Sequence, residues 1–401
     1  MPDNLKGLLH SKMFKRVTAK KRADHYTSGN SVKLIRGGSE YFDLLESLIA
    51  SAKNTIHFHV YIFDDDSTGI RIANALKQAA LRGLRIYVML DAYASKNLSG
   101  SFVADLKKSG IHFKWFAPLF KGQKFYLGRR LHHKVVVIDS FQCLVAGLNI
   151  SDRYNDTEKG PAWLDWALFV EGNIGEVLAR VCTRRYKSRI QRELQLKPKH
   201  LPLQGMVKDC MVRARTNDWI GRKWQISKSY LEMFRTAKKS IIIMSPYFLP
   251  GLIFRRAIKR AAKRGVKINV ILAGVSDIGT SKYAERYLYR WMFKNKIDIF
   301  EYEKTVLHGK IAVCDGHWVT IGSYNLNNLS AYASVELNLD VANDSLATNV
   351  NDCLQKVIDE DCLQITEEEY YRTTSVWAHV MQKISYNLLR LAAFFVIRKR
   401  E

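Results

Sequence analysis

Six cysteines in 401 residues, at positions 143, 182, 210, 314, 353 and 362, form no Cys-x-x-Cys pair, so the chain has neither the spacing of a zinc site nor that of a disulfide framework. Cys143 and Cys314 lie in apolar runs and read as core residues of a protein from a reducing compartment. Long apolar runs are missing too: the greasiest stretch, near the carboxyl terminus, is shorter than the roughly 20 residues that cross a bilayer. The basic first thirty residues, with Lys12, Lys15, Arg16, Lys20, Lys21 and Arg22, are not followed by the apolar core of a signal peptide and read as an arm or surface helix. Acidic residues are scarce, 38 against 63 Lys and Arg, which leaves a net charge of +25. That excess draws the chain to polyanions, without choosing between nucleic acid and an anionic lipid surface.

What is present is a pattern that occurs twice. His132-x-Lys134-x4-Asp139 is followed by Asn149, and His308-x-Lys310-x4-Asp315 by Asn325. The differences 308 − 132, 310 − 134, 315 − 139 and 325 − 149 are all 176. With about 5% usage per residue type, eleven histidines would give one such His-x-Lys-x4-Asp by chance with probability on the order of 0.03. Each copy opens a short apolar run, Val135-Val136-Val137-Ile138 or Ile311-Ala312-Val313-Cys314, that reads as a buried strand. The period of two places His132 with Lys134, and His308 with Lys310, on one face at the strand's start. Asp139 and Asp315 fall on the opposite parity at the far end and read as structural, holding the turn or pairing with a buried cation.

A duplicated fold that brings these strands together gathers two imidazoles, two ammoniums and two carboxamides around one pocket. Such a set suits displacement at a phosphodiester: one imidazole attacks phosphorus, the other protonates the leaving oxygen, and the cations and amides hold the phosphoryl oxygens. None of these roles needs a metal, and no cofactor is expected.

These residues resemble the phospholipase D superfamily, whose signature is this duplicated motif followed by Gly-Ser-x-Asn. The second copy matches in full, Gly322-Ser323-Tyr324-Asn325, whereas the first reads Ala146-Gly147-Leu148-Asn149 and lacks the serine. From about Val32 to Asp340 the chain is most similar to bacterial cardiolipin synthases of the shorter type without amino-terminal transmembrane helices. Asn149-Ile150, Trp163-x-Asp165, Pro246-Tyr247-Phe248-x-Pro250 and Gly322-Ser323-Tyr324-Asn325-Leu326 carry that likeness. The resemblance implies transfer of a phosphatidyl group between two phosphatidylglycerol molecules through a phosphatidyl-histidine, with release of glycerol. Phospholipid hydrolysis and cleavage of nucleic acid remain the alternatives within the superfamily. It implies a catalytic set of His132, Lys134, Asp139, His308, Lys310 and Asp315, with His132 as nucleophile and His308 as general acid and base. Lys134, Lys310, Asn149, Asn325 and Ser323 would bind phosphoryl oxygens. An orienting carboxylate is implied for each imidazole: Glu336, 28 residues after His308, and Asp165, in Trp163-x-Asp165 after His132.

The duplication extends upstream. Thr55-Ile56-His57-Phe58-His59-Val60-Tyr61 corresponds to Ser240-Ile241-Ile242-Ile243-Met244, and Leu84 to Leu90 to Val266 to Leu272, each of the latter runs after an Arg-Gly that suits a helix C-cap. The expected fold is α/β, two repeated units of mixed sheet flanked by helices, related by a pseudo-twofold with one shared active site. The expected divisions are a basic arm at 1–30, a first unit at 31–200, a second at 206–375 and a membrane-associating helix at 376–401, with the boundary in Leu194 to Gly205, where prolines interrupt helical periodicity. Leu388 to Ile397 is apolar apart from Arg390 and precedes Arg398-Lys399-Arg400. It reads as an interfacial helix on an anionic leaflet, or as a helix docked on its own unit. Phe113 to Leu127 mixes aromatics with lysines, which suits contact with lipid or the stacking of bases. The expected partner is an anionic phosphatidylglycerol membrane, met peripherally on the cytoplasmic face of the bacterial cell membrane, with no specific nucleic acid and no obligate protein partner.

Overall fold

The structure is a computed structural model that describes residues 25–118, 120–121, 124–125, 129–184, 186 and 203–398. The basic positions between 12 and 22, Leu119, Leu127, most of the expected boundary (194–202) and residues 399–401 lie outside the described residues.

The first half runs β1 (Thr27–Arg36), α1 (Ser39–Ser51), β2 (Thr55–Val60), α2 (Ser67–Leu81), β3 (Arg85–Asp91), α3 (Gly100–Lys108), β4 (His112–Phe116), β5 (Lys134–Ile138), β6 (Gln142–Ala146), β7 (Trp166–Gly172) and α4 (Ile174–Thr183). The second repeats the order with β8 (Val207–Asp218), α5 (Gln225–Thr236), β9 (Ser240–Met244), α6 (Leu252–Lys263), β10 (Lys267–Ala273), α7 (Gly279–Arg286), β11 (Asp298–Tyr302), β12 (Ile311–Cys314), β13 (Trp318–Gly322), β14 (Ser334–Ala342) and α8 (Asp344–Asp361), and then adds β15 (Cys362–Ile365) and α9 (Val376–Arg398). β1 starts inside the stretch expected to be an arm. The helix ends behave as their residues dictate: Asp66 accepts from Gly69 N at the start of α2, and Gly83 and Gly265 take φ of 86° and 89° just past α2 and α6, where a side chain would be strained.

The expected mixed α/β architecture is present, with one difference in connection. The two units do not own separate sheets. β1 pairs antiparallel with β7 and with β8, and β8 pairs with β14, so one 17-stranded sheet runs through the molecule. Two long strands that would each have bared a ladder edge satisfy one another instead. Fifteen of its strands run in the order β4-β3-β2-β5-β6-β7-β1-β8-β14-β13-β12-β9-β10-β11-β15, parallel within the βαβ arms, while the short strand Lys223–Trp224 pairs with the end of β8 and Arg130–Leu131 pairs parallel with the start of β14.

This sheet folds on itself. Val135, Val145 and Leu168 of one half share a core with Val313, Ile321 and Leu339 of the other, and α4 and α8 pack into the same layer. The alternate residues of the same strands, such as Val136, Leu144 and Phe169, face α1 to α3, while Ile243, Val270 and Ala312 face α5 and α6. The period of two thus builds five layers, helix, sheet, inner core, sheet and helix. Cys143 and Cys314 are buried in these cores, as expected, and all six cysteines are unpaired.

Candidate active site

Each motif histidine is held by backbone from the opposite half. His132 N donates to Val335 O at 3.0 Å, and His308 N donates to Leu164 O at 2.8 Å. The next residue after each acceptor is a buried carboxylate. Nδ1 of His132 donates to Glu336 Oε2 at 2.9 Å, and Nδ1 of His308 donates to Asp165 Oδ2 at 2.6 Å. The carboxylates are therefore exchanged between the halves: Glu336 serves His132 and Asp165 serves His308, the reverse of what order along the chain suggests. Backbone pairing explains the exchange, because Leu164 and Val335 dock against the residues around the other half's histidine. Gly309 permits that approach, since a Cβ there would lie 2.7 Å from Met244 Sδ and 3.2 Å from Trp166.

Both carboxylates are wholly buried and supported differently. Ser323 Oγ donates to Glu336 Oε2 at 2.5 Å, while Asp165 accepts the Trp166 N–H at 2.7 Å. Ser323 thus braces the carboxylate behind His132. Asn149 is also engaged, accepting from Ile62 N at 3.1 Å and donating to the Tyr154 hydroxyl at 2.8 Å. Asn325 is buried, with no partner for Oδ1 among the described residues.

The lysines complete the pocket. Lys134 Nζ donates to His132 O at 2.7 Å, and Lys310 Nζ donates to His308 O. Burial pushes Lys134 down to about 7 and Lys310 to about 8, and Lys310 lowers Lys134 further. Burial also lowers His132 and, more strongly, His308, on which Lys310, Lys134 and His132 all act. Burial raises Asp165 to about 7, against the pull of Lys310. The two lysines and two imidazoles share this buried space with the Glu336 and Asp165 carboxylates, and a phosphodiester placed there would favour the protonated forms of all four bases.

Asp139 and Asp315 lie at the far ends of β5 and β12 and touch neither imidazole. Each carboxylate accepts three backbone N–H groups at the start of a strand: Lys53, Asn54 and Thr55 in one half, Lys238, Lys239 and Ser240 in the other, at 2.8 to 2.9 Å. They hold turns, and no buried cation pairs with them among the described residues.

Aromatic residues that the motif does not announce line the pocket. The Tyr61 ring meets His132 edge-on at 4.8 Å, and Lys134 Nζ lies 5.1 Å from the same ring. Tyr154 meets His308 edge-on at 5.1 Å, with its hydroxyl 3.5 Å from Nε2. Asp91 accepts the Leu131 N–H at 2.7 Å and steadies the approach to His132. In the second half Tyr247 donates to Asp277 at 2.5 Å, and Glu285 of α7 accepts the Phe248 N–H at 2.9 Å. Tyr61 and Tyr247 stand just after the parallel strands β2 and β9, the position from which a βαβ arm presents side chains to a site, and that was the signal available for them. Among the described residues no group of three or more His, Cys, Asp or Glu is placed to hold a metal.

The chain matches the family described as "Cardiolipin synthase, PLD-like domain" over residues 45–160 and 230–358. It is 31% identical over 383 residues to cardiolipin synthase B of Salmonella typhimurium, and 31% identical over 384 residues to that of Escherichia coli strain K12, covering 91% of this chain and 89% of the relative in each case. Among solved structures, phosphatidylserine synthase of Haemophilus influenzae has the same fold, with a TM-score of 0.69 at 14% identity over 91% of this chain and 94% of that one.

Proposed function

We propose that this chain, which belongs to the family of cardiolipin synthases with a phospholipase D-like domain, is a phosphatidyltransferase that joins two phosphatidylglycerol molecules into cardiolipin and releases glycerol. The observation that carries the proposal is the pair of carboxylate-held imidazoles, one from each half, set between two buried lysines.

In the first half-reaction the Nε2 lone pair of His132 attacks the phosphorus of a phosphatidyl donor. The bond from phosphorus to the glycerol oxygen breaks, and the proton on Nε2 of His308 passes to that oxygen. In the second, Nε2 of His308 takes the proton of the acceptor's headgroup hydroxyl as its oxygen attacks phosphorus and the bond to His132 breaks. His132 suits the nucleophile's role because it is the more open imidazole, whereas the Tyr154 hydroxyl lies against Nε2 of His308. Glu336 and Asp165 fix the tautomers and steady each imidazolium. Lys134, Lys310 and Asn325 bind phosphoryl oxygens. Tyr154 stays protonated, because burial raises it, and can donate to the same oxygens.

The enzyme works peripherally on an anionic, phosphatidylglycerol-rich membrane, on its cytoplasmic face. Six unpaired cysteines support a reducing compartment, and no helix of the described residues is long and apolar enough to cross a membrane.

The test is purified protein with labelled phosphatidylglycerol vesicles. Cardiolipin and glycerol are the expected products, both lost in His132→Ala and in His308→Ala. Phosphatidic acid as the main product would make the enzyme a hydrolase. DNA cleavage that depends on His132, without any lipid product, would make it a nuclease. DNA binding alone decides nothing, because a +25 chain binds DNA nonspecifically.

A further inference from the structure

We infer that the outward face of α9 is the surface on which this enzyme docks to an anionic phospholipid bilayer, and that α9 fixes the pocket's orientation toward that bilayer. The inference deepens the proposed function by naming the surface through which the enzyme meets its lipid.

Trp377, Met381, Ile384, Leu388 and Leu391 are all exposed, Trp377 by 78% and Leu388 by 59%. Their spacing of 4, 3, 4 and 3 residues puts them in one stripe about 21 Å long at 1.5 Å per residue. Val376 and Val380, also exposed, widen it. A soluble surface seldom bares so continuous an apolar face.

The opposite face of α9 is bound. Gln382 is buried and its Oε1 accepts from the Tyr370 hydroxyl at 2.7 Å. Tyr386 stacks on Tyr287 at 4.7 Å, and Leu389 and Leu249 both pack against the cluster of Ala284, Leu288 and Tyr386. These contacts lead to the catalytic pocket: Leu249 follows the Tyr247-Phe248 turn, and Glu285 of α7 holds the Phe248 N–H. The helix is clamped to the elements that form one rim of the pocket, so a surface bound by the stripe has a set position relative to the histidines.

Charge selects the occupant. From Val376 to Arg398 the sequence contains no Asp or Glu, and the exposed Lys383 and Arg390 flank the stripe. A second copy laid on this face would bring like charges together with no carboxylate between them, and each copy carries +25. Anionic headgroups over an apolar interior match both features, and a helix of this kind lies in the plane of the interface instead of crossing it.

The test uses the full chain and vesicles of phosphatidylglycerol or phosphatidylcholine. The triple substitution Trp377→Asp, Ile384→Asp, Leu388→Asp is expected to lower flotation with phosphatidylglycerol vesicles at least tenfold, and turnover on them to a similar degree. Helix content, melting temperature and turnover of a monomeric short-chain phosphatidylglycerol should stay unchanged. Brominated phosphatidylglycerol chains should quench a component of the wild-type fluorescence that is missing in Trp377→Phe. Vesicle binding that survives the triple substitution, a Trp377 that brominated lipid does not quench, or a wild-type dimer that the substitutions dissociate without changing vesicle affinity would each overturn the inference. Binding through the stripe with no lipid product from any vesicle would leave the inference standing and remove the proposed activity instead.

Discussion

Gly147 stands where the second half has Ser323, and the reason is steric. A Cβ at Gly147 would lie 2.3 Å from Asp165 Oδ1, so in this half the carboxylate itself fills the space that a serine fills beside Glu336. Gly147→Ser, which restores the motif on paper, is therefore expected to push Asp165 off His308 and lower kcat by about 10- to 100-fold, the usual cost of losing an orienting partner. Unchanged kcat in Gly147→Ser would mean that the Asp165 contact contributes nothing. Lys134 gives a second residue-scale prediction, on stability. Its folded value of about 7 lies below the ordinary 10.5, because burial disfavours the ammonium. Below pH 7 the lysine is charged both folded and unfolded, and the folded state bears the full cost; from 7 to 10.5 the folded lysine sheds its proton first and the cost fades. Lys134→Met should thus be inactive yet more stable than the parent by about 2 kcal/mol at pH 6, with the gain shrinking toward pH 10 in urea titrations. The His and Lys residues were legible because chemistry and register both mark them. Glu336 and Asp165 were named through the resemblance, but their exchange was not legible, because 204 residues separate His132 from Glu336 and 143 separate His308 from Asp165, and nothing local records which half-sheet meets which.

Among the elements, the two motif hairpins were the most readable. Asp139 and Ser140 have φ of 51° and 55°, and Asp315 and Gly316 have 53° and 64°, the paired positive angles that a type I′ turn requires and that short polar residues tolerate best. Each aspartate also ties its turn to the start of a neighbouring strand through three N–H groups. Asp139→Ala and Asp315→Ala should each cost about 2 to 3 kcal/mol in chemical denaturation while specific activity per folded molecule holds. A variant of normal stability with its activity gone would restore a catalytic role for that aspartate. The carboxyl-terminal helix was only half readable. Its apolar run near residue 390 stood out, but the exposed stripe starts at Trp377, and the docked face uses Gln382, Ser385 and Tyr386, whose polarity hides a buried side from a hydropathy pattern. The docked reading fits the buried face, and the interfacial reading concerns the exposed one, where it rests on the inference drawn above.

Across the whole molecule the repeat, its layers and its two arms could be read from spacing, whereas the continuity of the sheet could not. That continuity rests on β1 meeting β8, two strands about 180 residues apart, and no pattern within either strand names the other as the partner for its free edge. The assembled pocket makes a prediction that neither half makes alone. Lys134 at about 7 and Lys310 at about 8 should rise when an oxyanion enters, so binding of inorganic phosphate or tungstate at pH 8 should take up protons. Affinity should fall as pH rises from 7 to 9, because the ammoniums are lost in that range. Calorimetry in two buffers of different ionisation enthalpy measures the uptake, and identical heats in both would disprove it. The exchange of carboxylates bears on how such a molecule changes over time. A duplicated segment ordinarily provides a spare, free to drift while its twin keeps working. Here each copy holds in trust half of the other's acid-base pair, so a lapse in either one disables both, and the redundancy created by the duplication has been converted into mutual dependence.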